Sequence, residues 1–322
     1  MATLDISHKD GPRFVADPLE VPKLACGAMA DISPYPAHPA HQEKLGFPGE
    51  LLPDWKQRVI EKMGELAKKN RAFLVYLDTC VKCGACTDKC HYFLGTGDPK
   101  NMPVARQDLL RSVYRRYFTF AGKYFPWLVG ARDLTEEVLD EWYTYYHQCS
   151  QCRRCSVFCP YGIDTAEVSM AAREIMDVVG KGQKYCNEII GKVKEIGNNL
   201  GLQEKALRAT LEDLEEDIEE ETGVSVRIPL DEKGADILLI TPSADFFAEP
   251  HVDGLIGYAK VFHQAGVSWT ISSYASEAAN FGLFIGSYEN MREVSLRIRK
   301  AAIDLGVKRI IFGACGVKGG LQ

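Results

Sequence analysis

The chain has 322 residues, 46% hydrophobic and 25% charged, with a net charge of −6. That balance describes an ordinary soluble globular protein of two or three domains and gives no footing for nucleic-acid binding, which favours a strongly basic face. The opening MATLDISHKDGPRF has neither an apolar core nor a small-residue cleavage site, and the most apolar short stretch, Tyr124 to Ala131, is far too short to span a bilayer. Any membrane association is therefore expected to run through a partner.

Residues 1–50 are rich in proline and poor in periodicity, and Asp31 to His41 reads as part of an extended N-terminal arm. His38 and His41 in that arm are expected to be polar loop residues rather than metal ligands. A helix is expected from Leu51 to about Asn70, followed directly by a first cysteine run. Two helices are expected between this run and a second one. The first carries Leu110, Val113, Tyr114, Tyr117 and Phe118 at helical spacing, and the second runs from Thr135 to about His147. Further helices are expected over 164–180 and 183–198, closing a mainly helical domain over 51–200. An acidic helix near 203–221 has the narrow apolar stripe Leu207, Leu211, Leu214 and Ile218, which suits either docking along another helix or a solvated connector at 201–223. From residue 224 the pattern changes. Val224–Ile228, Ala235–Thr241, Val267–Ser272 and Lys308–Gly313 read as strands. Helices marked by Leu255, Tyr258, Ala259 and Phe262, and by Met291, Val294, Ile298 and Leu305, lie between them. Strands alternating with amphipathic helices predict a parallel α/β domain over 224–322. The fold class expected is thus α+β multidomain.

Eight of the eleven cysteines fall in two compact runs, while Cys26, Cys186 and Cys315 stand alone. The first run is Cys80, Cys83, Cys86 and Cys90; the second is Cys149, Cys152, Cys155 and Cys159, followed by Pro160. Both have the Cys-x2-Cys-x2-Cys-x3-Cys spacing of bacterial ferredoxins, in which short spacers wrap three corners of a cubane. The fourth cysteine is expected to start a helix that points away. A pair of zinc sites is the rival reading, though zinc usually takes paired knuckles separated by longer loops. Similarity to two-cluster ferredoxins implies crossed ligation, because there the fourth cysteine serves the other cluster. One [4Fe–4S] cluster would then use Cys80, Cys83, Cys86 and Cys159, and the other Cys149, Cys152, Cys155 and Cys90. Lys82, Lys89, Arg153 and Arg154 could raise cluster potentials or dock an acidic partner, or serve only solubility. His91 and His147 are expected to pack beside the clusters.

The stretches CVKCGACTDKCHYFLGTGDPKNMPVARQDLLR, CSQCRRCSVFCPYGIDT, GYAKVFHQAG and SEAANFGLF carry a wider resemblance. The chain resembles the DsrK family, the heterodisulfide-reductase-like iron–sulfur subunits of the Dsr membrane complex in sulfur-metabolising prokaryotes. The resemblance implies an electron-transfer subunit, cytoplasmic and attached peripherally to the inner membrane through its partners. Those partners would be a haem b, quinone-interacting membrane subunit, other Dsr complex subunits and the small sulfur carrier DsrC. It also implies a further catalytic iron–sulfur cluster held by cysteine-rich CCG motifs, which reduces a disulfide or trisulfide. No CCG motif occurs here. Cys315, after the last expected strand, is the candidate catalytic thiol, with a small buried residue the equal alternative, and the α/β domain is expected to be an incomplete part of a longer protein. Two alternatives stay open: the iron–sulfur subunit of a flavin-linked dehydrogenase of the glycolate oxidase type, and a non-catalytic wiring module.

Overall fold

A computed structural model describes residues 3–5, 13–15, 50–248 and 251–313. The chain divides into two compact units, residues 1–38 and 39–322. The described part of the first unit is a short antiparallel ladder of β1 (Thr3–Asp5) and β2 (Arg13–Val15), with Thr3 opposite Val15. Both segments lie in the stretch expected to be an extended N-terminal arm. The rest of that arm, with Cys26, His38 and His41, lies outside the described residues.

In the second unit the first expected helix forms, and a second, unexpected one follows it before the first cysteine run. α1 (Trp55–Lys69) stops at Asn70, whose backbone is extended, and the Asn70 side chain accepts the Phe73 amide at 3.2 Å to cap α2 (Arg71–Thr79). An asparagine that competes for backbone donors breaks one helix and starts the next. The span between the cysteine runs holds more than the two helices expected. They are α3 (His91–Thr96), α4 (Pro103–Phe118), α5 (Phe120–Tyr124), α6 (Pro126–Val129) and α7 (Glu136–His147). α5 and α6 leave Phe120, Tyr124, Trp127 and Leu128 exposed, Trp127 at 79%. After the short α8 (Arg154–Val157), α9 (Thr165–Val178) is capped by Asp164, whose carboxylate accepts the Ala166 and Glu167 amides. Val59, Phe73, Leu110, Trp142, Val168 and Ile175 belong to one core that joins α1, α2, α4, α7 and α9.

Helix α10 (Lys184–Ile196) buries Ile189 and Val193 against Ala278 and Val294, so it packs on the α/β part. The acidic helix α11 (Glu204–Thr222) is not a solvated connector. Its stripe Leu207, Leu211, Leu214 and Ile218 is buried together with Leu239, Phe246, Leu255 and Trp269. Helices α10 and α11 thus both pack on the α/β part.

The sheet has three parallel strands in the order β4 (Trp269–Thr270), β3 (Ile237–Ile240), β5 (Arg309–Phe312), with Ile237 opposite both Trp269 and Arg309. Alternate side chains of β3 face opposite ways. Leu239 joins the core under α11 and α12 (His251–Gln264), while Leu238 and Ile240 pack with Ile298, Ala301 and Leu305 of α14 (Tyr288–Leu305). With both faces covered, the strand reads as an unbroken apolar run. Between β4 and α14 lies α13 (Ala279–Ile285), a helix that the periodicity did not reveal. The expected strand Val224–Ile228 does not form. Its alternating Val226 and Ile228 are buried, but the Ile228 amide donates to the Glu215 side chain instead of a neighbouring strand, and pairing starts with the single bridge Leu230 to Ile271.

If α11 is part of the α/β core, Ile218→Ala should lower the stability of the chain by about 2–5 kcal/mol, the range for a buried Ile truncated to Ala. Urea unfolding followed by far-ultraviolet circular dichroism measures this. A solvated connector would give a change within about 0.5 kcal/mol.

Candidate iron–sulfur site

The two cysteine runs form loops with the same backbone. The second residue of the first spacer has positive φ in both, Lys82 at 59° and Gln151 at 59°. The first residue of the second spacer does too, Gly84 at 79° and Arg153 at 58°. Left-handed residues turn the chain back on itself, which brings successive cysteines to one side of the loop. Glycine does this freely, whereas a side-chain-bearing residue costs about 1–2 kcal/mol. Beyond the third cysteine the loops part company. Cys90 is the N-cap of α3, as expected, but Cys159 leads into a turn, and the next helix starts only at Thr165.

The loops face each other. His91 Nε2 lies 3.3 Å from Ser150 Oγ, and Lys89 Nζ sits 4.9 Å from the centre of the Phe158 ring. Two cavities lie between them. Cys80, Cys83 and Cys86 line the first together with Cys159 from the other run. Cys149, Cys152 and Cys155 line the second together with Cys90. Cys155 borders both, so the cavities are side by side. Each cavity thus has thiols of both runs in its walls. Apart from the thiols, much of the lining is apolar, with Val81, Val104 and Ile163 in the first cavity and Pro103 and Ala166 in the second.

All nine described cysteines are free. Burial pushes the Cys155 thiol up to about 11 and raises that of Cys86, with Cys80 and Cys159 adding to the rise at Cys86. Such thiols keep their protons at neutral pH until a cationic metal core displaces them. Among the described residues, no three His, Cys, Asp or Glu side chains converge as a single ion requires. The thiols stand around cavity walls instead, a donor set that fits a cluster with its own bulk.

Two buried arginines near the second cavity went unread in the sequence. Arg106 donates from Nη1 to Cys90 Sγ at 3.5 Å, from Nε to the Tyr145 carbonyl at 2.9 Å and from Nη2 to Asn101 Oδ1 at 2.7 Å. Arg173 donates from Nε to the Tyr146 carbonyl at 3.1 Å, from Nη1 to the Leu283 carbonyl at 3.2 Å, and from Nη2 to the Cys149 carbonyl. A signal was available, since Pro103, Arg106, Leu110 and Val113 share one face of α4 and all are buried. His147 is half-buried, with its Nε2 enclosed. Its Nδ1 lies 2.9 Å from the Tyr143 carbonyl, and burial holds its pKa down at about 4. Lys82, Lys89 and Arg153 are each paired with a carboxylate: Asp108, Asp88 and Asp164.

Cys315 lies outside the described residues. The carboxyl end of β3 is described, and Thr241, Ser243, Ser276 and Glu277 are buried there. Burial pushes Glu277 up to about 7 from its ordinary 4.5. Between those values the folded chain keeps a proton that the unfolded chain has released, so this group lowers stability progressively as pH rises from about 4.5 to about 7. Glu277→Gln removes that penalty. Its stabilising effect in urea unfolding is expected to grow by about 2–3 kcal/mol between pH 5 and pH 8.

Residues 76–163 match the family model of the 4Fe-4S dicluster domain. The chain is 48% identical over 271 residues to the Hdr-like menaquinol oxidoreductase iron-sulfur subunit 2 of Archaeoglobus fulgidus, which covers 83% of this chain and 49% of that protein. It is 47% identical over 271 residues to the Hdr-like menaquinol oxidoreductase iron-sulfur subunit of Archaeoglobus profundus, covering 83% of this chain and 48% of the relative. A shorter likeness, 30% over 109 residues, links it to one of the subunits of the dihydromethanophenazine:CoB–CoM heterodisulfide reductase of Methanosarcina barkeri, covering 34% of this chain and 25% of the relative. No solved structure matches. The chain spans about half the length of the two Archaeoglobus relatives. The stretch that holds both cysteine runs is thus an iron–sulfur domain, in a chain similar over most of its length to heterodisulfide-reductase-like iron–sulfur subunits.

Proposed function

We propose that the chain is an electron-transfer subunit carrying two [4Fe–4S] clusters in a heterodisulfide-reductase-like membrane complex. The observation that carries this reading is that each cavity draws its thiols from both runs. Cys80, Cys83, Cys86 and Cys159 would hold one cluster, and Cys149, Cys152, Cys155 and Cys90 the other. The clusters supply single-electron redox chemistry when bound. This chain's own residues fix their separation through Cys155, exclude water with the apolar walls and set the surrounding charge.

The names of the relatives, menaquinol oxidoreductase and heterodisulfide reductase, support electron exchange between a quinone-linked membrane subunit and a disulfide-reducing site. No helix among the described residues is long and apolar enough to cross a membrane. The exposed Phe120, Tyr124, Trp127 and Leu128 offer an apolar surface to such a subunit. The finer reading is the DsrK family in dissimilatory sulfur metabolism, with a haem b partner, a DsrC-type sulfur carrier as substrate and a further catalytic cluster in the longer protein.

Anaerobically purified protein is expected to contain about eight iron and eight acid-labile sulfide per chain, as two four-iron clusters require. Zinc in stoichiometric amount without sulfide would overturn the proposal. Crossed ligation is expected to show in single variants. Cys90→Ser should perturb the same electron paramagnetic resonance signal as Cys149→Ser, and Cys159→Ser the same signal as Cys80→Ser. If Cys90→Ser instead shares its signal with Cys80→Ser, the ligands do not cross.

A further inference from the structure

We propose that the two cluster sites are electrically unequal, and that the site walled by Cys90, Cys149, Cys152 and Cys155 accepts an electron before the other, because Arg106 and Arg173 give it buried positive charge. The inference rests on the two-cluster reading above.

Arg106 is 2% exposed and Arg173 1%. Neither is paired with a carboxylate among the described residues. The acceptors of Arg173 are three backbone carbonyls, and those of Arg106 are a carbonyl, the Asn101 amide oxygen and the Cys90 sulfur. A guanidinium taken out of water without a counter-charge costs several kcal/mol, and proteins pair such groups. An anion in the second cavity, which Arg106 lines, would supply the missing counter-charge. A cubane bound by four thiolates is one, because its thiolate and sulfide charges exceed those of its irons.

The first site is built differently. Arg111 is also 2% exposed and donates to the Cys80 carbonyl at 2.7 Å, but its Nε and Nη2 engage Asp108, which takes Lys82 as well. That buried charge arrives with its own carboxylate. Lys89 and Arg153 beside the second cavity also have carboxylate partners, while Arg154 is exposed and screened by solvent. The difference between the sites therefore comes down to the two buried guanidiniums.

Reduction adds a negative charge. Nearby positive charge and N–H donation to a ligand sulfur both favour the reduced form, and so raise the potential of the second site. The direction has a structural sense. Arg173 joins the Cys149 carbonyl of the second loop to the Leu283 carbonyl of α13, so the favoured site is the one tied to the α/β region. An electron entering at either site comes to rest nearest that region.

The test is a redox titration of the anaerobic full chain followed by electron paramagnetic resonance, with iron and sulfide measured on each sample. Cys152→Ser identifies the signal of the second site and Cys83→Ser that of the first. In the unaltered protein, the signal that develops at the higher potential should be the one that Cys152→Ser changes. Arg106→Gln should lower that site's reduced-to-oxidised ratio at fixed potential at least tenfold, 59 mV for one electron, and leave the other site unmoved. Arg106→Lys should recover most of the difference. The reverse order in the unaltered protein overturns the inference even if Arg106→Gln does not fold. A folded Arg106→Gln protein that moves neither midpoint, or both equally, overturns it too. Two clusters with the wrong order sink the inference alone; a protein without iron and sulfide sinks the two-cluster reading along with it.

Discussion

The cluster region depends on the burial of helix α9. Ten of its residues are buried, among them Val168, Met170, Ile175 and Met176, so it cannot lie on a surface and must be surrounded. Ala166, Ser169, Ala171 and Ala172 keep it slim enough for α1, α2, α4, α7 and α13 to approach it closely. Its first turn fixes the second cysteine loop, because Asp164 accepts both from the helix amides and from Ser156 Oγ at 2.6 Å. Its far side reaches the α/β part, where a side chain on Gly286 would collide with the Glu174 amide and the Met170 carbonyl. A single buried helix thus positions the loop, the core and the sheet region relative to one another.

The same local backbone was reached in the two cysteine loops from different residues. The left-handed turn filled by Gly84 in one loop is filled by Arg153 in the other, which ties the strained position to an ion pair with Asp164. Strain at a residue of this kind persists only where the surroundings over-determine it. Here they include the cap of α9, so the loop's geometry and the helix's start support each other.

The cysteine spacing and the long helices were legible because both are local signals. Four cysteines at fixed intervals define a loop without any tertiary knowledge, and Leu110 with Val113 or Ile298 with Leu305 mark a buried face at helical period. What the sequence could not show was which partner a buried face would meet. The stripe of α11 announced docking, but only the fold assigns it to Leu239 and Trp269. Val224–Ile228 has the alternation of a strand, and its inward residues are buried, yet a carboxylate from Glu215 takes the amide that a neighbouring strand would have used. Helix α13 has seven residues, too few for a period to emerge. The arginines were hidden for another reason. A charged residue is read by default as surface, and only its position in the middle of an apolar stripe contradicts that.

The shared walls of the two cavities also bear on how the protein comes to be assembled. Neither cavity exists until chain segments 69 residues apart have met, since each takes a thiol from the opposite loop. Contacts of such long range are late to form and slow a chain's search for its native state, although the entropy of closing the intervening loop rises only logarithmically with its length. Cofactor loading is then a folding event: ligand that binds only the closed arrangement draws the chain into it by mass action. On the two-cluster reading, one completed site would pin both loops and pre-organise the other, so the two would fill cooperatively, and oxidative loss of either cluster would loosen the wall of its neighbour.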